Sequence, residues 1–274
     1  MNWVIAVIVL IITGYLLDRE IYFYEGARLG PRLQSWLYDR WARKYDTSKR
    51  ESQLQDDRML AQPLLDKIPD VPEPFLLDFA TGTGRLSYAL LRRPDFKGRI
   101  IALDISEGML EQAASKLSPY LDRVELLRHQ SMTLPFPDAA FDAICCLEVL
   151  ELLPDAQAAF NEMSRLLRPG GILLTSRGTE ESGRKAKVKS EAELISMLQT
   201  SGFEDIRITK WWKLFDRVFA RKAGISTPVG VQSFTDVLKC SRCDQTSWAR
   251  SLNALQCSRC GNQLSITPRG IVLG

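Results

Sequence analysis

The chain opens on an unbroken apolar run, Trp3 to Leu17, with no charged residue inside it. At about 1.5 Å per helical residue the run spans roughly 22 Å, short of a hydrocarbon core of about 30 Å. Extension through Asp18, Arg19 and Glu20 to Tyr22, Phe23 and Tyr24 adds length, with the charges snorkelling and the aromatics at the interface. A cleaved signal peptide fits less well, because no basic stretch precedes the run and no small-residue cleavage pattern follows it. A shallow interfacial anchor is the third reading. The expectation is a membrane anchor over residues 1–24, with a transmembrane helix as its fullest form. Arg28, Arg32, Arg40, Arg43 and Lys44 follow the run and only the terminal amine precedes it, which places the body on the cytoplasmic side.

Pro31 near a helix start, with Leu33, Trp36, Leu37, Trp41 and Tyr45 at helical spacing, predicts an amphipathic helix within an extension over 25–70. It packs on the body or lies on lipid headgroups. Apolar runs then alternate with helical periodicity. Strands are predicted at 75–79, 99–104, 123–128, 141–147, 171–176, 203–212 and 216–221, and helices at 51–68, 84–92, 107–117, 155–168 and 191–201. Ser190 and Glu193 form a capping box for the last helix. Five strands separated by helices predict an α/β fold with a parallel sheet, and the short connection at Lys213, Leu214 and Phe215 makes the last two strands an antiparallel pair. Residues 223–236 carry the Gly, Pro and Ser of a linker, and residues 237–274 form a small unit of their own.

A net charge of +3 is too small to argue nucleic-acid binding, and a single histidine excludes histidine-rich metal or triad chemistry. Chemistry enters at the end of the first predicted strand. Asp78, Phe79 and Ala80 lead into Thr81-Gly82-Thr83-Gly84, then a helix, then a second strand ending in Asp104. Gly82 and Gly84 let the backbone approach a ligand without a Cβ in the way. The following helix aims free N–H groups at it, and Asp104 sits where a carboxylate accepts both hydroxyls of a ribose. A dinucleotide site wants a third glycine, where this chain has Ser87, and an anion such as Asp78 would repel a pyrophosphate. Asp78 suits a cationic amine, which favours S-adenosylmethionine over NAD.

His129 to Asp142 and Met163 to Gly171 complete a pattern. Over about residues 71–222 the chain resembles class I S-adenosylmethionine-dependent methyltransferases, in the branch of the ubiquinone/menaquinone C-methyltransferases. The resemblance implies a seven-stranded, mostly parallel Rossmann-like methyltransferase sheet with an antiparallel last strand. It implies that Asp78 holds the cofactor ammonium through water or backbone, and that Ala80, Gly82 and Gly84 pack beneath methionine and ribose. Asp104 takes the ribose hydroxyls, Ile105 and Met109 flank the adenine, Gln130 reads the adenine amino group, and Ser131 and Met132 meet the adenine edge. Gln130 departs from the Asp or Asn common there. By the same resemblance Tyr45, in a Tyr-Asp pair with Asp46, helps close the site. The stretch Glu148 to Asp155 looks like the E-x-x-E-H segment of quinone O-methyltransferases, but the histidine position is Leu152, so a metal site there is incomplete. Glu148, Glu151 and Tyr45 are the candidate catalytic groups. Methyl transfer from a sulfonium mainly needs positioning, so no triad is expected. Cys145 and Cys146 are adjacent in an apolar strand and point to opposite faces, as structural cysteines.

Cys240, Cys243, Cys257 and Cys260 form two C-x₂-C knuckles thirteen residues apart, the pattern of a zinc ribbon with a closed, tetrahedral, structural site. The ribbon resembles the small zinc-binding activator subunits that pair with tRNA, rRNA and release-factor methyltransferases, which implies a stabilising or docking module. Three functions follow as expectations. The first is a methyltransferase acting at a membrane surface on a hydrophobic small molecule, such as a quinone precursor or lipid. The second is a methyltransferase for RNA or protein, with Arg242, Arg250, Arg259 and Arg269 of the ribbon as contacts. The third is a non-catalytic cofactor-binding scaffold. The basic stretch about 177–190, with Arg177, Arg184, Lys185, Lys187 and Lys189, makes only a small lid, so residues 31–60 are expected to enclose the acceptor.

Overall fold

The computed structural model describes residues 2–182 and 189–274. Helix α1 (Asn2–Asp18) is followed by a π turn over Arg19–Phe23, then by α2 (Pro31–Gln53), a second π turn over Asp57–Ala61, and α3 (Gln62–Leu65). The body alternates β1 (Phe75–Phe79), α4 (Arg85–Leu91), β2 (Arg99–Asp104), α5 (Glu107–Leu117), β3 (Val124–Arg128), β4 (Phe141–Cys146), α6 (Ala156–Leu166), β5 (Leu167–Gly178), α7 (Glu191–Thr200), β6 (Phe203–Trp212) and β7 (Phe215–Lys222). The remainder is α8 (Phe234–Val237), β8 (Trp248–Arg250), β9 (Ala254–Cys257), β10 (Gln263–Ile266) and β11 (Ile271–Leu273).

One sheet runs through the whole body in the order β6-β7-β5-β4-β1-β2-β3-β11-β10-β9-β8. Strands β1 to β5 pair in parallel, and β7 runs antiparallel between β5 and β6. The central strands are apolar because both faces are covered. Phe75, Leu77 and Phe79 of β1 enter one core layer, while Leu76 enters the other. Cys146 and Cys145 divide the same way, as adjacent strand residues must.

Two features depart from the expected seven strands. The cysteine unit is no distant appendage: β11 pairs in parallel with β3, Ile271 opposite Leu126 and Leu273 opposite Arg128, which carries the sheet on into four further strands. Residues 223–236 are not a free tether either. Val229 and Gly230 donate their backbone N–H groups to the two oxygens of Asp142, at 2.9 and 3.0 Å. Asp142 is fully buried and also takes Phe75 N at 3.0 Å and Arg168 Nε at 2.7 Å. Breaking so buried a charge pair from one side costs about 3–5 kcal/mol.

The expected transmembrane helix is not found. Helix α1 has 17 residues, about 25 Å of rise, and no helix among the described residues is long and apolar enough to cross a membrane. The extension past Asp18 fails for a local reason. Tyr24 is buried, accepts a hydrogen bond from Arg19 at 2.9 Å and lies under the Arg28 guanidinium at 3.7 Å from its ring centre, so it is packed on the body rather than held at an interface. Helix α1 itself stays exposed along its length, with Trp3, Leu10, Ile11 and Tyr15 all at least 65% exposed.

The extension over 31–70 differs from the expected helix at 51–68. Helix α2 runs on to Gln53, and a break at Leu54 to Asp56 precedes the π turn. Helix α2 is clamped to the body by polar bonds. Ser35 Oγ donates to the Ile105 carbonyl at 2.9 Å, and Asp39 Oδ1 accepts from Ser106 Oγ at 2.6 Å and Gly108 N at 2.8 Å, capping α5 from outside. Farther along, Asp46 accepts from Thr83 Oγ1 at 2.5 Å and pairs with Lys116 at 2.7 Å. At α7 half of the expected capping box forms: Ser190 Oγ accepts from Glu193 N at 3.2 Å, while the Glu193 carboxylate turns to Lys189.

Candidate active site

The glycine turn leaves β1 through three residues of positive φ, Ala80 at 56°, Gly82 at 55° and Gly84 at 72°. The two glycines have different work. A Cβ on Gly82 would meet nothing within 4 Å, so that backbone faces open space in the cavity. A Cβ on Gly84 would lie 2.9 Å from Leu117 and 3.2 Å from Ala113, so Gly84 serves close packing of α4 on α5 rather than ligand approach.

Asp104, at the end of β2, is buried and accepts Gly82 N at 2.8 Å on one oxygen and Ser106 N at 2.9 Å on the other. Burial pushes its carboxyl up to about 6, against these backbone donors. It lines a cavity of about 550 Å³ together with Ala80, Gly82, Ile105, Met109, Gln130, Ser131 and Met132. Eight of the ten expected cofactor residues thus share one cavity. Asp78 does not line it. Its Oδ2 accepts Thr81 Oγ1 and Ser87 Oγ, each at 2.6 Å, beneath the turn, where it borders a small recess. Burial raises its carboxyl, and the hydroxyls of Ser87 and Thr81 oppose that. Gly84 borders neither space. His129 sits at the cavity edge, its Nε2 3.0 Å from the Thr133 carbonyl, and burial lowers its pKa.

A second cavity of about 820 Å³ adjoins the first and shares Tyr38, Tyr45, Glu148 and Leu152 with it. Helix α2 supplies Arg40, Trp41, Lys44, Ser48 and Lys49 of the remaining wall, and Tyr22, Glu25, Glu151, Gly178, Leu214 and Phe215 complete it. The rings are ordered: Trp41 stacks on Tyr22 at 6.4 Å and meets Tyr38 edge-on at 5.5 Å. All three candidate catalytic groups are here. Glu148 is paired on one oxygen with Arg85 at 2.9 Å and on the other with Lys49, and its backbone is held at a φ of 59°. Glu151 accepts the Gly178 N–H at 2.5 Å. Burial, then Glu148, drives the Tyr45 phenol far above its ordinary pKa, so it stays protonated at neutral pH. Leu152 is buried at the seam, where a metal-binding histidine would stand. Of the basic lid residues, Arg177 is buried on Asp216 at 2.6 Å and Lys189 pairs with Glu193, while Arg184, Lys185 and Lys187 lie outside the described residues.

The residues that sequence reasoning missed are Tyr38 and Asp39. Tyr38 lies seven residues before Tyr45 and Asp39 seven before Asp46, which was the available signal.

The four cysteines converge. Their Sγ atoms all lie within 4.8 Å of one another, with Cys240 to Cys260 and Cys243 to Cys257 at 3.6 Å. The knuckles repeat one backbone pattern: Asp244 N bonds Cys240 O and Gly261 N bonds Cys257 O, each at 2.9 Å. A regular tetrahedron with zinc–sulfur bonds of about 2.3 Å sets sulfurs about 3.8 Å apart, so the set fits such an ion.

Residues 76–171 match the family described as methyltransferase domain. The chain is 32% identical over 164 residues to demethylmenaquinone methyltransferase of Desulfitobacterium hafniense, covering 59% of this chain and 64% of that protein, so it spans just under two thirds of that relative. It is 37% identical over 142 residues to malonyl-[acyl-carrier protein] O-methyltransferase of Xylella fastidiosa, covering 51% of this chain and 46% of that one. In fold it is similar to a SAM-dependent methyltransferase from Aquifex aeolicus, with a TM-score of 0.56 at 22% identity over 67% of this chain and 97% of the other. With its glycine turn, its strand order and these likenesses, the chain carries a methyltransferase domain over residues 76–171 and is similar there to demethylmenaquinone methyltransferase.

Proposed function

We propose that this protein transfers a methyl group from S-adenosylmethionine to a hydrophobic small molecule, such as a quinone precursor or lipid, at a membrane surface. One observation carries the reading: an aromatic-walled cavity adjoins the cofactor-sized one across Tyr38, Tyr45, Glu148 and Leu152. The first cavity fits the cofactor. Asp104 would take the ribose hydroxyls, Ile105 and Met109 the adenine faces, and the Cβ-free Gly82 leaves room for the chain between them. The bound sulfonium supplies a methyl group already activated for in-line displacement, so the protein's part is to align the acceptor and exclude water. Tyr22, Trp41 and Phe215 give the acceptor an apolar seat. Tyr45, protonated, keeps an O–H to donate there.

The membrane part rests on α1, whose apolar side chains face solvent on every side at the foot of which Tyr22 borders the acceptor cavity. An interfacial or partly inserted helix brings that cavity to lipid. Zinc in the cysteine unit is part of the same reading, as a structural ion. The RNA or protein alternative gains little from the ribbon arginines, because Arg250 pairs with Glu125 at 2.6 Å and Arg269 donates to Ser115, both on the body. The test is incubation of the full chain with membranes and methyl-labelled S-adenosylmethionine. Label is expected in the lipid extract, and label confined to RNA or protein overturns the substrate class.

A further inference from the structure

Trp211, near the end of β6, is 4% exposed, and its indole Nε1 has no hydrogen-bond partner among the described residues. A buried donor is costly to leave unpaired. The ring lines the small recess behind the glycine turn, about 50 Å³, with Asp78, Thr81, Gly82, Arg85 and Glu148. The recess touches the cofactor cavity across Ala80 and Gly82, which border both.

Both kinds of polar group line it. The Arg85 guanidinium lies 5.4 Å from the Trp211 ring centre, and three of its N–H groups bond Asp56 and Glu148. An arginine has five N–H groups, and neither it nor the indole has an acceptor to offer. Asp78 is an acceptor, and its Oδ2 carries both of its hydroxyl bonds. Glu148 is neutralised by Lys49 and Arg85. A recess lined by these donors and this acceptor suits an α-amino acid zwitterion, whose carboxylate has only acceptors and whose ammonium has only donors.

We propose that Trp211 and Arg85 hold the carboxylate at the amino-acid end of the cofactor, which makes Trp211 a specificity-determining residue against ligands that lack it. The proposal rests on the cofactor reading above, and it assigns to β6 a part in recognition that no residue of the glycine turn supplies. A hydrogen bond from a neutral donor to a carboxylate is worth about tenfold in affinity.

The test is calorimetric titration of the full chain with S-adenosylhomocysteine and with its decarboxylated analogue. The unsubstituted protein is expected to bind the analogue at least tenfold more weakly, and equal binding overturns the proposal without any variant. In Trp211→Phe, which keeps an aromatic ring but not the N–H, S-adenosylhomocysteine is expected to lose about tenfold while the analogue loses less than twofold. Equal losses for both ligands, or none for either, overturn it. Failure of the unsubstituted protein to bind either ligand overturns the cofactor reading and this proposal with it.

Discussion

Ser87 Oγ lies 2.6 Å from Asp78 Oδ2, so the residue standing where a dinucleotide site has its third glycine is a partner of the carboxylate that precedes the turn. The two departures from the dinucleotide pattern are thus one device. Asp78 is buried under the turn and needs donors, and a glycine at 87 would remove one of the two hydroxyls that reach it. Ser87→Ala is expected to destabilise the protein by about 1–3 kcal/mol. Urea unfolding at neutral pH checks it, with a smaller loss expected at acid pH, where the Asp78 carboxyl is neutral.

On the reading that Asp104 takes the ribose hydroxyls, cofactor binding is expected to depend on pH. Burial pushes its carboxyl up to about 6, against an ordinary value near 4. Ribose hydroxyls donate to the ionised form, so cofactor affinity is expected to rise with pH up to about 6 and level off above it, falling about tenfold per unit below. The apoprotein shows the opposite sign. A raised carboxyl pKa adds stability while the native state keeps the proton, and that part is lost as pH rises through about 6. Titration of S-adenosylhomocysteine between pH 5 and 8 should show this slope, and Asp104→Asn should bind weakly and flatten it.

Gly82 and Gly84 should separate by phenotype. Gly84→Ala puts a Cβ 2.9 Å from Leu117 at a φ of 72°, and about 1–3 kcal/mol of stability should go with little change in cofactor affinity. Gly82→Ala meets no atom of the described residues within 4 Å but fills cavity space at a φ of 55°, so affinity should fall sharply while stability drops by about 1–2 kcal/mol from the backbone alone. Parallel melting and binding curves distinguish the two.

The cysteine unit should carry about one metal ion per chain, measured by elemental analysis. Metal ligation supplies on the order of 10 kcal/mol in small zinc units. Chelation, or Cys243→Ser with Cys260→Ser, is expected to lower the melting temperature. It should also raise amide exchange in β9 to β11 first and in β3 next, because Ile271 to Leu273 pair with Leu126 to Arg128.

Much of this was legible in the residues. The seven strands of the body fall within a few residues of their predicted places, except that β5 begins earlier at Leu167, because buried strands between turn signals are marked by local pattern. Most of the expected cavity residues were legible too, since Ala80, Gly82, Asp104 and Ile105 stand at the ends of β1 and β2 and Gln130 to Met132 just past β3. What was hidden depends on long-range packing. Trp211 reaches Arg85 from the far edge of the sheet, and the clamp of Asp39 on Gly108 joins residues 69 apart. The π turn and buried Tyr24 past the apolar helix were missed for another reason: Arg19 and Arg28 close on that ring from five and four residues away, a local contact that a count of apolar residues does not register.

The pairing of β11 with β3 has a consequence for how the molecule is made. Ile271 meets Leu126 across about 145 residues of chain. Until the last strands emerge from synthesis, β3 is a bare edge, its N–H and C=O groups open to any passing strand. The cysteine unit is therefore a lock closed late, and a chain that lacks the last strands is expected to aggregate rather than simply lose a side module.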